Sequence, residues 1–196
     1  MNCALFYLDF VVKSIVECVT MKIEELSRQE YQNYPIDYRY QTKYYYHVKI
    51  KDKKHIALSI ERKKYFFKQD KAFKGQLFES HLIVSDVFGI LEQKKLVAVV
   101  EGTLETWNNR YRISNLWVDV KHRRKKQGTA LLSHIEMIAK KKGARAVVLN
   151  LHSCNYPAIQ FLKNQKYGFI GFDSAYYSNK DIAKKEIKFD FGKPLI

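Results

Sequence analysis

One stretch limits this chain more than any other: Leu116 to Lys142, LWVDVKHRRKKQGTALLSHIEMIAKKK. An apolar strand over Ile113–Val120, rich in β-branched and aromatic side chains and including Trp117, runs into a basic loop and then a helix. The loop, Lys121 to Gly128, holds five cations and His122. From Gln127 to Lys142, Leu131, Ile135 and Ile138 recur at the i, i+4, i+7 spacing of one buried helix face. Lys140, Lys141 and Lys142 suit the negative C-terminal end of that helix, and Gly143 suits the position just beyond it.

A helix start carries unpaired backbone N–H groups and a partial positive charge, so a strand–loop–helix junction of this kind can hold a phosphate. Arg123, Arg124, Lys125 and Lys126 make the site more strongly anion-selective. A Walker phosphate loop needs two glycines around four residues followed by Lys and Ser or Thr, and a dinucleotide fold needs GxGxxG; neither is present. Taken alone, the basic run reads equally well as a solvated loop or a nucleic-acid patch.

The rest of the chain narrows this. Its 196 residues suit one domain with a sizeable core, and 46% hydrophobic residues with only 8 Gly and 3 Pro exclude a disordered chain. The net charge of +15 favours an anionic partner, without choosing among coenzyme A, nucleic acid and an acidic membrane surface. Cys3, Cys18 and Cys154 are odd in number and have no metal-like spacing, which points to a reducing, cytoplasmic compartment, no disulfide framework and no metal site.

Residues 1–20 are apolar but broken by Asp9, Lys13 and Glu17, a poor signal peptide and a poor membrane span. Met21 is the expected natural start, with residues 1–20 an upstream extension or, alternatively, an added helix packed on the domain or a partner. Residues 21–196 then form a single domain. Within it, Ser27–Asn33 reads as a short helix, Tyr44–Lys51 and His55–Glu61 as strands around a polar turn, and Lys71–His81 as a helix. DVFGILEQ, KLVAVVEGTLE and RYRISNLWVDV read as an antiparallel meander, turning at Glu92–Lys95 and again at Trp107–Asn109. ARAVVLNL is a buried strand; Asn155 and Pro157 open a helix reaching about Gln165; Gly168–Tyr177 and Lys185–Phe191 are final strands.

The run Arg123 to Gly128 resembles the pyrophosphate-binding motif of the GNAT family of N-acetyltransferases, Arg/Gln-x-x-Gly-x-Gly/Ala, with Lys126 on the first glycine and Gly128 on the second. Asn155 to Leu162 resembles a second family motif, Asn-x-x-Ala-x-x-x-Tyr. More narrowly, TWNNRYRISNLWVDV and NLHSCNYPAIQFL are similar to the streptothricin acetyltransferase branch. The resemblance implies an α/β, three-layer acyl-CoA N-acyltransferase fold, with a mixed, largely antiparallel twisted sheet and helices on both faces. It also implies acetyl-CoA as co-substrate, no metal, and an amine acceptor. That acceptor is a small molecule, such as a streptothricin-like or aminoglycoside-like antibiotic, or a protein amine.

The same resemblance implies a pantetheine arm between the strand ending at Val120 and the strand ending at Leu151, held by backbone groups of Val118 and Val120. Backbone N–H groups of Arg123, Arg124, Lys125, Lys126, Gln127, Gly128 and Thr129 hold the pyrophosphate. Asn155 contacts the cofactor, caps its helix, or does both.

No catalytic residue can be named. The family's acidic tyrosine position is Leu162, Phe161 beside it has no proton to give, and Ser114, Asn115 and Asn150 stand where carboxylates are expected. Lys166 replaces the glycine before the aromatic Tyr167. Glu101 and Glu105 are the remaining carboxylates that could receive an amine, although each also reads as an exposed strand charge. Trp107 either lines the acceptor pocket or covers core. Tyr156, Tyr176 and Tyr177 are proton donors only if the fold brings one near the thiolate, and no histidine is evident to activate Cys154. The competing readings are a non-catalytic acyl-CoA-binding protein and, least favoured, a basic nucleic-acid binder. No membrane partner is expected, and C-terminal edge strands leave room for a homodimer.

Overall fold

The computed structural model describes residues 21–52, 54–81 and 84–195. The expectations for residues 1–20 lie outside the described residues. The backbone of the fold is a seven-stranded sheet in the order β1-β4-β5-β6-β7-β9-β8. Its strands are β1 (Glu24–Glu25), β4 (Asp86–Glu92), β5 (Lys95–Glu105), β6 (Arg110–Val118), β7 (Ala146–His152), β8 (Gly168–Asp173) and β9 (Lys188–Pro194). Every neighbouring pair is antiparallel except β6 and β7. A parallel pair needs a crossover, and α2 (Gln127–Lys141) supplies it.

The meander forms as its alternation requires. Gln93 and Lys94 both take positive φ, 50° and 64°, the backbone of a tight two-residue hairpin turn. Two bulges then sort the side chains between faces. Val97 is the extra residue opposite β4, and Ser114 the extra residue opposite β5. As a result Ala98, Val100, Ile113, Leu116 and Val118 face one core with Leu131 and Ile135 of α2 and with Ile159 and Leu162 of α3 (Tyr156–Asn164). Leu96 and Val99 face a second core, with Leu26, Ile36, Leu77 and Phe78.

That second face is covered by α1 (Arg28–Tyr31), capped by Ser27, and by the base of a long hairpin of β2 (Pro35–Asp52) and β3 (Ile56–Gln76). The two strands have 18 and 21 residues and form a sheet of their own. The strands read at Tyr44–Lys51 and His55–Glu61 are only its inner part. The helix expected at Lys71–His81 is overturned: Lys71–Gln76 is the end of β3, in register with Pro35–Tyr40. Cross-strand pairing and the stacked Tyr38–Phe73 rings, 4.5 Å apart, outweigh the helical composition of that stretch. Leu77 and Phe78 then turn inward to fill the second core.

The last strands are also shorter or shifted. β8 ends at Asp173, α4 (Asp181–Lys184) intervenes, and β9 starts at Lys188. Among the described residues no helix is long and apolar enough to cross a membrane.

Candidate active site

β6 and β7 are paired only from Arg110–Ala146 to Ile113–Leu149, after which the two strands part. The opening lies between Ser114–Val118 and Asn150–His152. α2 starts beside it, and α3 forms one wall: a methyl group on Gly128 would sit 3.5 Å from the Phe161 ring and 3.6 Å from Val118. These are ordinary contacts, so Gly128 leaves the approach to the helix start open while an alanine would narrow it.

The strand ends two residues before the sequence suggests. Asp119 accepts the Lys121 N–H at 2.9 Å and begins a short 3-10 turn, Val120–His122, which leaves Val120 exposed and off the strand. His122 bridges Asp119 and Glu92, 3.1 Å from each, and the Gln127 amide donates to Glu92 at 3.3 Å. Burial alone would raise the Asp119 carboxyl, but the Lys121 N–H and His122 outweigh it and hold the group below its usual range. The turn is thus fixed to the β4–β5 hairpin before the helix begins.

At the helix entrance Lys126 has φ 64°, the left-handed region that glycine favours, and its side chain does not cap the helix. The lysine that replaces the motif's first glycine therefore keeps the glycine's backbone conformation. Lys166, the second such replacement, also has positive φ, 68°, and closes α3: the Tyr167 N–H donates to the Leu162 carbonyl at 3.0 Å. Arg124, Lys125 and Lys126 are exposed, and among the described residues their side chains make no hydrogen bond or ion pair. First-turn N–H groups from Gln127, Gly128 and Thr129, with no side-chain cap, face the same region.

Arg123 differs from its neighbours. Its guanidinium donates to the Val118 carbonyl at 3.1 Å and to the Arg39 carbonyl of β2 at 2.7 Å. It ties loop, strand and hairpin together and occupies half of the backbone capacity that Val118 offers to the opening. Asn155 is a helix cap, its side-chain oxygen accepting the Ala158 N–H at 3.3 Å.

The hairpin closes the other side of the opening. Tyr38 donates to Asn115 at 2.7 Å, and Asn115 donates to Glu101 at 2.7 Å and to the Gln76 carbonyl at 3.1 Å. Glu101, expected to be an exposed strand charge, is fully buried and also receives the Phe78 N–H and the Ser85 hydroxyl, each at 3.0 Å. With three donors on it, the buried carboxylate anchors the end of the hairpin to β5. Tyr38, Phe73, His152 and Tyr177 continue as an aromatic wall: Phe73 and His152 are 5.6 Å apart, His152 and Tyr177 4.5 Å. The sequence reading missed Tyr38, Phe73 and His152, because two of them belong to the misread hairpin and the third is a single histidine at a strand end.

Other expectations are corrected. Glu105 and Trp107 sit toward the other end of β5 and β6, where Glu105 is opposite Arg110, four residues before the opening begins at Ser114; at 3.2–3.4 Å per residue that is about 13 Å from its start and about 26 Å from Val118. Glu105 is engaged by Arg112, Arg110 and Asn108, which outweigh the effect of burial and lower its carboxyl pKa. Trp107 is 80% exposed. Neither lines an acceptor pocket at the opening. Leu162 is core. Tyr156 is engaged by Arg62 at 3.0 Å, and Lys188 lies over the Tyr176 ring. A histidine does stand beside Cys154, since His152 comes from the same strand end; yet the thiol is buried and burial pushes its pKa up, which makes it a poor nucleophile.

Comparison with known proteins places this geometry. Residues 44–169, more than half of the chain, match the sequence model of the acetyltransferase (GNAT) family. Streptothricin acetyltransferase of Streptomyces lavendulae is 35% identical over 71 residues, 36% of this chain and 38% of that protein, so the match spans well under half of that curated relative. A solved nourseothricin acetyltransferase superposes with a TM-score of 0.74 at 19% identity, covering 89% of this chain and 98% of its own. A protein of Bacillus anthracis str. Ames, described as a streptothricin acetyltransferase and solved with acetyl coenzyme A, superposes with a TM-score of 0.64 at 15% identity, covering 88% and 96%. At such identities the superpositions speak for the fold alone, and it is the family match that assigns the sequence: this chain belongs to the acetyltransferase (GNAT) family.

Proposed function

We propose that residues 21–196 form one acetyltransferase domain that moves the acetyl group of acetyl-CoA to a primary amine, with an amine of the streptothricin class as the first acceptor to test. The observation that carries this reading is the uncapped start of α2 beside the parting of β6 and β7, with Arg124, Lys125 and Lys126 around it unpaired among the described residues. These residues fit a pyrophosphate: backbone N–H groups, a helix dipole and mobile cations converge on one place. The names of the streptothricin and nourseothricin relatives support the acceptor class, and the solved relative with acetyl coenzyme A supports the donor.

In this reading Gln127, Gly128 and Thr129 hold the pyrophosphate through their N–H groups, and Val118 and Phe161 line the path of the pantetheine arm. Acetyl-CoA supplies an activated thioester. The neutral amine nitrogen forms the new C–N bond, the C–S bond breaks, and the proton that nitrogen loses passes by way of solvent to the departing thiolate, which leaves as free thiol. The aromatic wall of Tyr38, Phe73 and Tyr177 faces the acceptor. With Leu162 in the core, the family's tyrosine position in α3 offers no proton to the departing thiolate, and the Tyr156 hydroxyl is engaged by Arg62. A missing general acid costs about 10²–10⁴-fold, and positioning supplies a contribution at least as large. A cytoplasmic location accords with the free Cys154 and with the need for acetyl-CoA. β8, an edge strand, offers a second copy a place to pair.

The buried Leu162 also supports a second reading, a protein that binds acyl-CoA without turnover. Calorimetric titration with acetyl-CoA, paired with a thiol-release assay over amines including streptothricin, separates the two. Binding with release from an amine supports transfer, binding without release from any amine leaves the second reading, and no binding overturns both.

A further inference from the structure

At the end of β7 the fold brings together three different kinds of metal-binding side chain, two from nearby positions and one from a segment more than thirty residues later. His152, Cys154 and Glu186 each offer one donor atom, and these atoms all lie within 4.8 Å of one another. β7 ends at His152, and the turn that follows, closed by the Asn155 N–H on the His152 carbonyl at 2.8 Å, carries Cys154 beside it. Glu186 comes from the segment that leads into β9.

Main-chain hydrogen bonds hold both segments in place. His152 is in register with Lys188, the Ser153 N–H donates to the Ile187 carbonyl at 2.8 Å, and the Ser153 hydroxyl donates to the Lys185 carbonyl at 3.1 Å. The Tyr46 N–H of the hairpin donates to the Ser153 carbonyl at 3.0 Å. Such anchoring fixes where the donors sit before any ion arrives.

The surrounding groups have the character of an outer layer around a cation. Tyr40 lies with its hydroxyl 3.4 Å from the Cys154 sulfur, placed to donate to a thiolate. Lys71 occupies one oxygen of Glu186 at 2.7 Å and leaves the other available. The Tyr65 hydroxyl is buried with no hydrogen-bond partner among the described residues, and its ring lies under the ammonium of Lys185, the residue before Glu186.

The geometry points to a site for one divalent cation of the zinc class, held by His152, Cys154 and Glu186. A nitrogen, a sulfur and an oxygen donor make a zinc set, while magnesium and calcium prefer oxygen alone. Three protein ligands leave a fourth position open. As the metal–sulfur bond forms, the Cys154 thiol proton leaves to solvent. Tyr40, Tyr65 and Lys71 all belong to the hairpin, so a cation here clamps the hairpin onto the β7–β9 floor, next to the aromatic wall and away from the α2 entrance. It therefore acts on the acceptor side of the opening.

The test uses the full chain, stripped of metal by a chelator, with Co²⁺ as the spectroscopic probe and Zn²⁺ as competitor. The expected result is a thiolate-to-cobalt charge-transfer band that saturates at one equivalent and is removed by Zn²⁺. Cys154→Ser abolishes the band, His152→Gln and Glu186→Gln each weaken binding by about tenfold or more, and a Cys3→Ser, Cys18→Ser double variant keeps it. Each metal-free variant is first checked for a cooperative thermal transition. Absence of the band from the unsubstituted chain, its survival in Cys154→Ser, or its loss in the Cys3, Cys18 double variant overturns the site.

Discussion

The two helices that follow β6 and β7 share a plan, strand then loop then helix, yet they begin in opposite ways. α3 is closed at its start: Asn155 accepts the Ala158 N–H and Pro157 removes another donor. α2 is open: no side chain caps it, Lys126 enters it in a left-handed conformation, and three cations around it have no partner among the described residues. Local hydrogen bonding is complete where the helix only has to be stable and incomplete where an anion can finish it. The difference locates the site more firmly than the basic composition does, because α3 also has cations nearby and no open donors.

The largest effect should come from making the open entrance repel. Arg124→Glu with Lys125→Glu is expected to weaken acetyl-CoA binding by about 100-fold, since charge-assisted contacts are worth about 1.5–3 kcal/mol each; calorimetry with an unchanged melting temperature checks it, and a loss below threefold breaks the contrast. Arg123→Ala should behave differently from its neighbours. It removes two carbonyl partners and should cost about 1–2 kcal/mol of stability, read by urea unfolding, because Arg123 is structural.

The closed entrance provides the next measurement. Asn155→Ala should cost about 1 kcal/mol, a fall of roughly 2–4 °C in melting temperature at this chain length, while acetyl-CoA affinity stays within twofold. A larger loss of affinity would give Asn155 a second role at the cofactor. The smallest effects come from Lys126 and Lys166, the two left-handed lysines that stand at family glycine positions. Lys126→Gly and Lys166→Gly should each stabilise by up to about 1 kcal/mol in thermal melts as backbone strain is relieved, and only Lys126→Gly should weaken acetyl-CoA binding, by a few-fold.

The sequence made the α2 region legible because the buried face of Leu131 and Ile135 carries a strong helical period next to a strand of Ile, Trp and Val. The meander was legible from its β-branched apolar runs and the short polar turns between them, although both faces of β5 are packed and two bulges interrupt its alternation. The hairpin was not. Most of β2 and β3 is solvated on both sides, so lysines and aromatics fall on either face, and the stretch after Lys71 loses the alternation that marks a strand. Glu101 looked like a surface charge because its three donors come from Phe78, Ser85 and Asn115, which only the folded chain brings together. The His152–Cys154–Glu186 cluster was hidden likewise: cysteine spacing carries no trace of a site whose third ligand enters from a neighbouring segment.

Arg123 stands between the donor loop and the acceptor wall, with one guanidinium on the carbonyls of Val118 and Arg39. A joint of that kind has a thermodynamic consequence. In the proposed function, a cofactor that displaces this side chain also moves the hairpin beside the acceptor, and the coupling free energy is the same in both directions. The affinity of each substrate then depends on the occupancy of the other's site, through a single arginine.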